Sequence, residues 1–232
     1  MTRVSMMFTG SQSVPLTQTN MLVRGVKGTA NAPIVLTFVR IVADSAEEAA
    51  LTLIDCQYVT VKAATWGGRD GIFLYKCTDC EIEGSETHTP AQDGIKLAMC
   101  ERIAIVENMV SAGSDQGIDV GSSLGVRIAG NSIDAPRAEA GVLVKLGSSK
   151  VRITDNHITC DSRSAIVIGG PESSERRPGA QHSADDIVIA NNRGICGDAP
   201  IKITRDCGPN VRIGSNRFAS SAKSGALVSD KR

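Results

Sequence analysis

The chain has 232 residues, 41% of them hydrophobic, a composition that suits one globular unit with a sizeable core. Lys plus Arg and Asp plus Glu both number 25, so the formal net charge is zero and no basic field exists to hold nucleic acid or an anionic membrane. Twenty-three glycines against 3% aromatic residues point to many short strands separated by turns, and away from a helical bundle packed on large side chains.

Residues 1–20 are polar and mixed, and read as an irregular segment or cap. They hold no basic stretch followed by an apolar run, so neither a signal peptide nor a membrane span is expected, and seven cysteines without paired motifs fit synthesis in a reducing cytoplasm. Met21-Leu-Val-Arg-Gly-Val and Ile34-Val-Leu-Thr-Phe read as strands of an irregular first turn, with Glu47-Glu48 just ahead of the regular pattern. From there the sequence repeats. Units begin at Ala50, Gly71, Gly94, Gly117, Gly141, Ala165 and Pro200, at intervals of 21, 23, 23, 24, 24 and 35 residues, and such a period signals a solenoid. The last interval is one coil of 24 lengthened by an 11-residue insertion.

Each unit opens with a small residue followed by apolar, variable, apolar, as in Ile72 and Leu74, Ile95 and Leu97, Ile118 and Val120, or Val142 and Val144. Alternation of period two is a half-buried strand, so these residues face inward. A second alternating strand carries Val59 and Val61, Cys80 and Ile82, Ile103 and Ile105, Val126 and Ile128, Val151 and Ile153, Ile187 and Ile189, and Val211 and Ile213, giving each coil at least two sheets. Three residues later stands a recurrent asparagine: Asn108, Asn131, Asn156, Asn192 and Asn216. Asparagine tolerates left-handed backbone and its amide can bond the amide one coil away, so this column predicts a buried ladder at a corner. Cys56, Cys77 and Cys100 lie six residues past their unit starts and predict a stacked column of reduced thiols. The one Cys-x-x-Cys, Cys77 to Cys80, is read as packing.

The repeat, of form G-I-x-L-x-x-C-x-x-I-x-I-x-x-N, resembles that of the pectate-lyase-like superfamily from Met21 to Phe218, as does the opening Gly28-Thr-Ala-Asn-Ala-Pro-Ile-Val-Leu. The expected architecture is therefore all-β: a single-stranded right-handed parallel β-helix of about seven coils over residues 21–218, with residues 219–232 as a polar tail. Neither terminus shows a convincing cap, so association of copies through uncapped ends is a further expectation. The resemblance also implies an elongated sugar polymer lying along an outer sheet.

Solvent-facing positions of the first strand form the columns Phe73, Lys96, Asp119, Leu143, Val167, Lys202 and Tyr75, Ala98, Gly121, Lys145, Gly169, Thr204. Just before it stand Asp70, Asp93, Gln116, Ala140, Ser164 and Ala199. Asp70-Gly71, Asp93-Gly94 and Gln116-Gly117 fall where polygalacturonases resembling this chain have Asp-Gly, Asp-Asp and Gly-His-Gly motifs, but Gln92 replaces an Asp and Gln116 the His. Hydrolysis by paired carboxylates is thus weakly supported, and for Asp70 and Asp93 a plain turn role is favoured. Elimination or epimerisation of a uronate needs a base for the C5 proton and a cation for the carboxylate, which Lys96 beside Asp119, with Asp93, Lys145, Tyr75 and Arg205, can supply. A cross-strand stabilising pair is the plainer reading of Lys96 and Asp119.

His88, His157 and His182 share no column, so neither a metal site nor a cofactor is expected. His88 is read as an ordinary loop residue. The insertion over 171–185 carries Arg176, Arg177 and His182, which are candidates to reach a bound sugar. The sequence thus predicts a β-helix that binds or processes a poly- or oligosaccharide, with Lys96, Asp119, Asp93 and Lys145 as the chemical set. Tyr75, Asp70, Gln116, Arg176, Arg177 and His182 form the substrate-binding set. The rival is a structural or attachment shaft without chemistry, and whether the protein turns a substrate over is left open.

Overall fold

The computed structural model describes residues 12–14, 19–161, 163–170 and 183–221, and every regular element among them is a strand. The strands stack in parallel on three faces. The first face runs Met21–Arg24, Leu51–Ile54, Ile72–Tyr75, Ile95–Ala98, Gln116–Gly121, Ala140–Lys145, Ser164–Ile168 and Ile201–Ile203, each pairing with the next. The second runs from Ile34–Val42 through Val59–Trp66, Glu81–Glu83, Ala104–Val106, Arg127–Ala129, Ser148–Thr154 and Ala184–Ala190 to Val211–Ile213. A third face carries Glu86–His88, Met109–Ser111, Ser132–Asp134, His157–Cys160, Arg193–Cys196 and Arg217–Ser220. Val59–Trp66 crosses the corner unbroken and pairs with the second face by one end and the third by the other.

The alternation seen in the sequence is the core. Ile72, Leu74, Ile95, Leu97, Ile118, Val120, Val142, Val144, Ile166 and Ile168 are all buried in one cluster, and registers such as Ile95 with Ile118 and Ile118 with Val142 stack like on like. The third face carries too few inward residues per strand to betray itself by alternation; its buried contributions are Thr87, Val110, Ile133, Ile158, Cys160, Cys196 and Phe218. Where this face meets the first, a side chain at the unit-opening glycine has no room. A Cβ on Gly94 would lie 2.4 Å from Val110 Cγ1 and 2.6 Å from the Gly117 carbonyl oxygen.

At the corner between second and third faces the asparagines are bonded as a ladder, Asn108, Asn131, Asn156 and Asn192 buried and Asn216 half-buried. Asn131 Nδ2 donates to Ile105 O and to Asn156 Oδ1, both at 2.9 Å, while its own Oδ1 accepts from the Asn108 backbone N–H and Nδ2. The same pattern continues through Asn156 and Asn192 to Asn216, and Ser85 heads the column by donating its N–H to Asn108 Oδ1. The residue before each of the first four asparagines is left-handed: Glu107, Gly130, Asp155 and Asn191 have φ of 55°, 68°, 59° and 59°. Cys56, Cys77 and Cys100 are buried free thiols, as the column predicts. Hydrogen bonds from Cys100, Cys56 and Cys80, together with burial, push the Cys77 thiol above its ordinary range, so it stays protonated. The last strand reaches Ser220, two residues beyond the expected end of the solenoid.

Replacing Asn131 by Leu removes the Oδ1 that accepts from both the Asn108 backbone N–H and Asn108 Nδ2, and the donor to Ile105 O. A buried polar group left unpaired costs about 1–3 kcal/mol. The urea midpoint followed by Trp66 fluorescence should fall accordingly, and an unchanged midpoint contradicts the ladder's energetic role.

Candidate functional site

Backbone register brings the chemical residues together on three adjacent coils of the first face. Lys96 pairs in register with Asp119, and Asp119 with Leu143; Lys145 sits level with Gly121, which puts no side chain in its way. The result is an alternating chain of charges. Lys96 Nζ lies 2.6 Å from Asp93 Oδ2 and 3.6 Å from Asp119 Oδ2, and Lys145 Nζ lies 3.2 Å from the same Asp119 oxygen. The carboxylates lie beneath, with side-chain exposures of 0% for Asp93 and 3% for Asp119. The lysines retain 25% and 24%.

This depth sets the electrostatics. Burial, then the Asp119 charge, pushes Asp93 up to about 7 against the pull of Lys96. Burial likewise raises Asp119, and the two ammoniums beside it do not offset that cost. Burial opposes the charge on Lys96, but Asp93 and Asp119 outweigh it and hold the ammonium above its ordinary range. Among the described residues three buried acceptors, Asp70 Oδ1, Gln116 Oε1 and Asp119 Oδ1, have no hydrogen-bond partner, the last two on the one strand Gln116–Gly121.

Several expectations need correction. Asp119 alternates outward but is not solvent-facing, because the stems of Lys96 and Lys145 close over it. Asp70 and Asp93 are not plain turn residues either. Asp70 is fully buried and paired with Arg69 at 3.0 Å, and Asp93 Oδ1 accepts the Gln116 N–H of the next coil at 2.9 Å. Lys96 and Asp119 are consequently not an exposed pair of little energetic weight. Tyr75 stands outside the cluster, with its ring against Phe73 and the Lys76 ammonium. Arg205 is exposed on the coil of Ile201–Ile203. Gln116 is buried and donates through Nε2 to Asp115. His88 is a strand residue, stacked on Trp66 at 4.4 Å and paired with Glu86. Arg176, Arg177 and His182 lie outside the described residues. Among the described residues, no group of three His, Cys, Asp or Glu side chains could hold a metal ion.

One feature escaped the sequence. A groove of about 550 Å³ continues from Gln116 along the same face, floored by Leu143 and Val167 and flanked by Glu139, Arg163, Asp198 and Lys202. Its signal was present in the residues immediately before the Ala140, Ser164 and Ala199 column, where Glu139, Arg163 and Asp198 place a charge on three successive coils.

Compared with known protein families, residues 46–177 match the model described as the right handed beta helix region. No curated protein matches the chain. Among solved structures, an alginate lyase from Paenibacillus sp. str. FPU-7 is similar at a TM-score of 0.58 and 14% identity, over 90% of this chain and 99% of that one. The A-module of the Azotobacter vinelandii mannuronan C-5 epimerase AlgE6 gives 0.57 and 15%, over 88% of this chain but only 59% of the module. At these identities the likeness is one of fold.

The buried carboxyl has a consequence for stability. An unfolded chain releases the Asp93 proton near its ordinary value of about 4, whereas the folded chain keeps it up to about 7. Between those values the folded state binds more protons, so stability falls as pH rises from about 4 to 7 and the loss is complete above 7. Asp93→Asn should flatten that slope in urea titrations taken across the window. A slope equal to the parent's contradicts the assignment.

Proposed function

The chain belongs to the right-handed β-helix family, and from that premise we propose that it binds and processes an acidic polysaccharide along its first face. The observation that carries the reading is the pair of part-exposed ammoniums, Lys96 and Lys145, held over buried carboxylates on the face along which the groove runs. Carboxylates of a uronate chain meet cations there, and the apolar floor of Leu143 and Val167 takes the apolar face of a ring. Two of the folds most like this one belong to proteins named for alginate and mannuronan, which supports a polyuronate over a neutral glycan.

A lyase or an epimerase must remove the C5 proton while the neighbouring carboxylate is neutralised. Lys96, tied to Asp93 and Asp119 and firmly charged, suits the neutralising task. Lys145, tied to Asp119 alone, is the residue we assign to the proton, which its amine takes from C5 after passing its own to Asp119 Oδ2 at 3.2 Å. Asp93 and Asp119 are too deep to meet a ring and act by positioning the two amines. In elimination the C5–H electron pair becomes the C4–C5 double bond as the C4–O bond breaks, and the proton taken by Lys145 goes to the departing C4 oxygen. In epimerisation a solvent proton is delivered to C5 from the opposite side while Lys145 keeps the one it took. Tyr75, its ring against Phe73 and the Lys76 ammonium, falls to a flanking contact.

A second reading has one observation in its favour. An ion network with its carboxylates fully covered also clamps three coils together, which is what a non-catalytic attachment shaft needs.

Incubation with alginate, polygalacturonate and neutral glucans, reading ultraviolet absorbance of unsaturated ends beside reducing ends, separates these outcomes. The proposal expects the unsaturated signal on a polyuronate, lowered roughly 100-fold in Lys145→Ala. Reducing ends without unsaturation mean hydrolysis. Silence in both channels with retained glycan binding means a shaft.

A further inference from the structure

The asparagine corner, on the side of the coil away from the first face, carries a second charged column that the proposed chemistry does not use. The residue that follows each ladder asparagine points outward, and in the last three coils it is His157, Arg193 and Arg217, paired rung to rung in direct register. On the other flank of the corner, four residues before the asparagine, Arg127 and Arg152 are likewise in register, and Arg212 lies two coils further on. All six side chains are exposed.

Like charges directly opposite one another on neighbouring strands are unfavourable, and the fold does not demand them, since Met109 and Ser132 occupy the same column two coils earlier. Some neutralisation is present. Arg127 meets Glu81 at 3.7 Å, Arg212 meets Asp186 at 3.9 Å, and Asp155 occupies the turn between Arg152 and His157. In the next two coils the turn residues are neutral, Asn191 and Ser215. Among the described residues Arg152, Arg193 and Arg217 pair with no carboxylate. In a chain of zero net charge this is a local concentration of guanidinium groups, repeated at the spacing of hydrogen-bonded strands, roughly 4.8 Å.

We propose that this corner is a second, non-catalytic holding site for an acidic polysaccharide, with Arg152, Arg193 and Arg217 as its anchors. The inference rests on the reading of the first face as a polyuronate site, in that one long polymer is the ligand of both. Guanidinium groups at a regular spacing suit a polymer that offers a carboxylate on every ring. The column bears no Phe, Tyr or Trp on which nucleobases could stack, which argues against a single-stranded nucleic acid. A chain gripped at a second site stays near the first face after release, so the two sites multiply each other's affinity for long ligands and leave short ones unaffected.

The test uses the whole protein and affinity electrophoresis or calorimetry with long polygalacturonate, a short oligogalacturonate, dextran and duplex DNA as probes. Arg193→Ala with Arg217→Ala should weaken binding of the long polymer roughly ten-fold and flatten its salt dependence, with short-oligomer binding unchanged. The corresponding Arg→Lys pair should restore most of the loss, and unchanged unfolding midpoints show that the fold is intact. A protein carrying Lys96→Ala and Lys145→Ala should still bind the long polymer through the corner. Equal affinity of the arginine variant and the parent for the long polymer overturns the inference even where turnover of short uronates proceeds. Complete loss of polymer binding in the lysine variant, or tighter binding of DNA than of polygalacturonate by the parent, also overturns it. Polymer binding that depends on the arginines without any turnover leaves the corner standing and removes only the chemistry proposed for the first face.

Discussion

The hydrogen-bond register between successive coils is the constraint on which the rest depends. A slip of one residue in a strand turns every inward side chain outward, and here the ladder from Ser85 through Asn108, Asn131, Asn156 and Asn192 to Asn216 pins that register once per coil. Each amide satisfies a carbonyl within the corner and the amide of the coil above, so no corner forms independently of its neighbours. The stacked aliphatic core, the thiol column and the glycine column, where Gly94 leaves room for the Gly117 carbonyl, all inherit this spacing.

On the first face the same spacing forces charge into the interior. Lys96, Asp119 and the reach of Lys145 are superposed by registers that the core imposes, and the long lysine stems cover the shorter carboxylate. Burial is costly for a lone carboxylate and tolerable only with partners. Asp93 has Lys96 and the Gln116 amide, and Asp119 has two ammoniums, yet both carboxyls remain shifted upward. The network is therefore poised and not merely neutralised. Its cationic tips are part-exposed on the same face as a groove floored by Leu143 and Val167.

Much of this was legible in the sequence because solenoid repeats turn spacing into contact. The unit starts at Gly71, Gly94 and Gly117 implied the pairing of Ile95 with Ile118 and of Lys96 with Asp119, and the asparagine spacing implied the ladder. Depth was not legible. Alternation says which side of a strand a residue leaves from, and nothing about whether neighbouring rungs close over it, which is why Asp119 read as a surface charge and Asp93 as a turn. The third face was hidden because its strands are short and each buries little. The groove was hidden because its walls, Glu139, Arg163 and Asp198, stand one residue outside the column that the repeat makes conspicuous. Tyr75 was drawn in by parity, although its ring turns to Phe73 and Lys76.

The two sides of the coil then have different tasks on one scaffold: amines over buried carboxylates on the first face, and repeated guanidinium groups at the asparagine corner. The central claim is that Lys96 and Lys145 receive the carboxylates of an acidic sugar polymer. A crystal structure of the protein with a saturating oligouronate tests it most directly. The account predicts a uronate carboxylate within hydrogen-bonding distance of Lys96 or Lys145 Nζ, about 2.7–2.9 Å for a charge-assisted bond, with the adjoining ring over Leu143. An oligouronate bound elsewhere on the solenoid, with both ammoniums still turned only to Asp93 and Asp119, would contradict it.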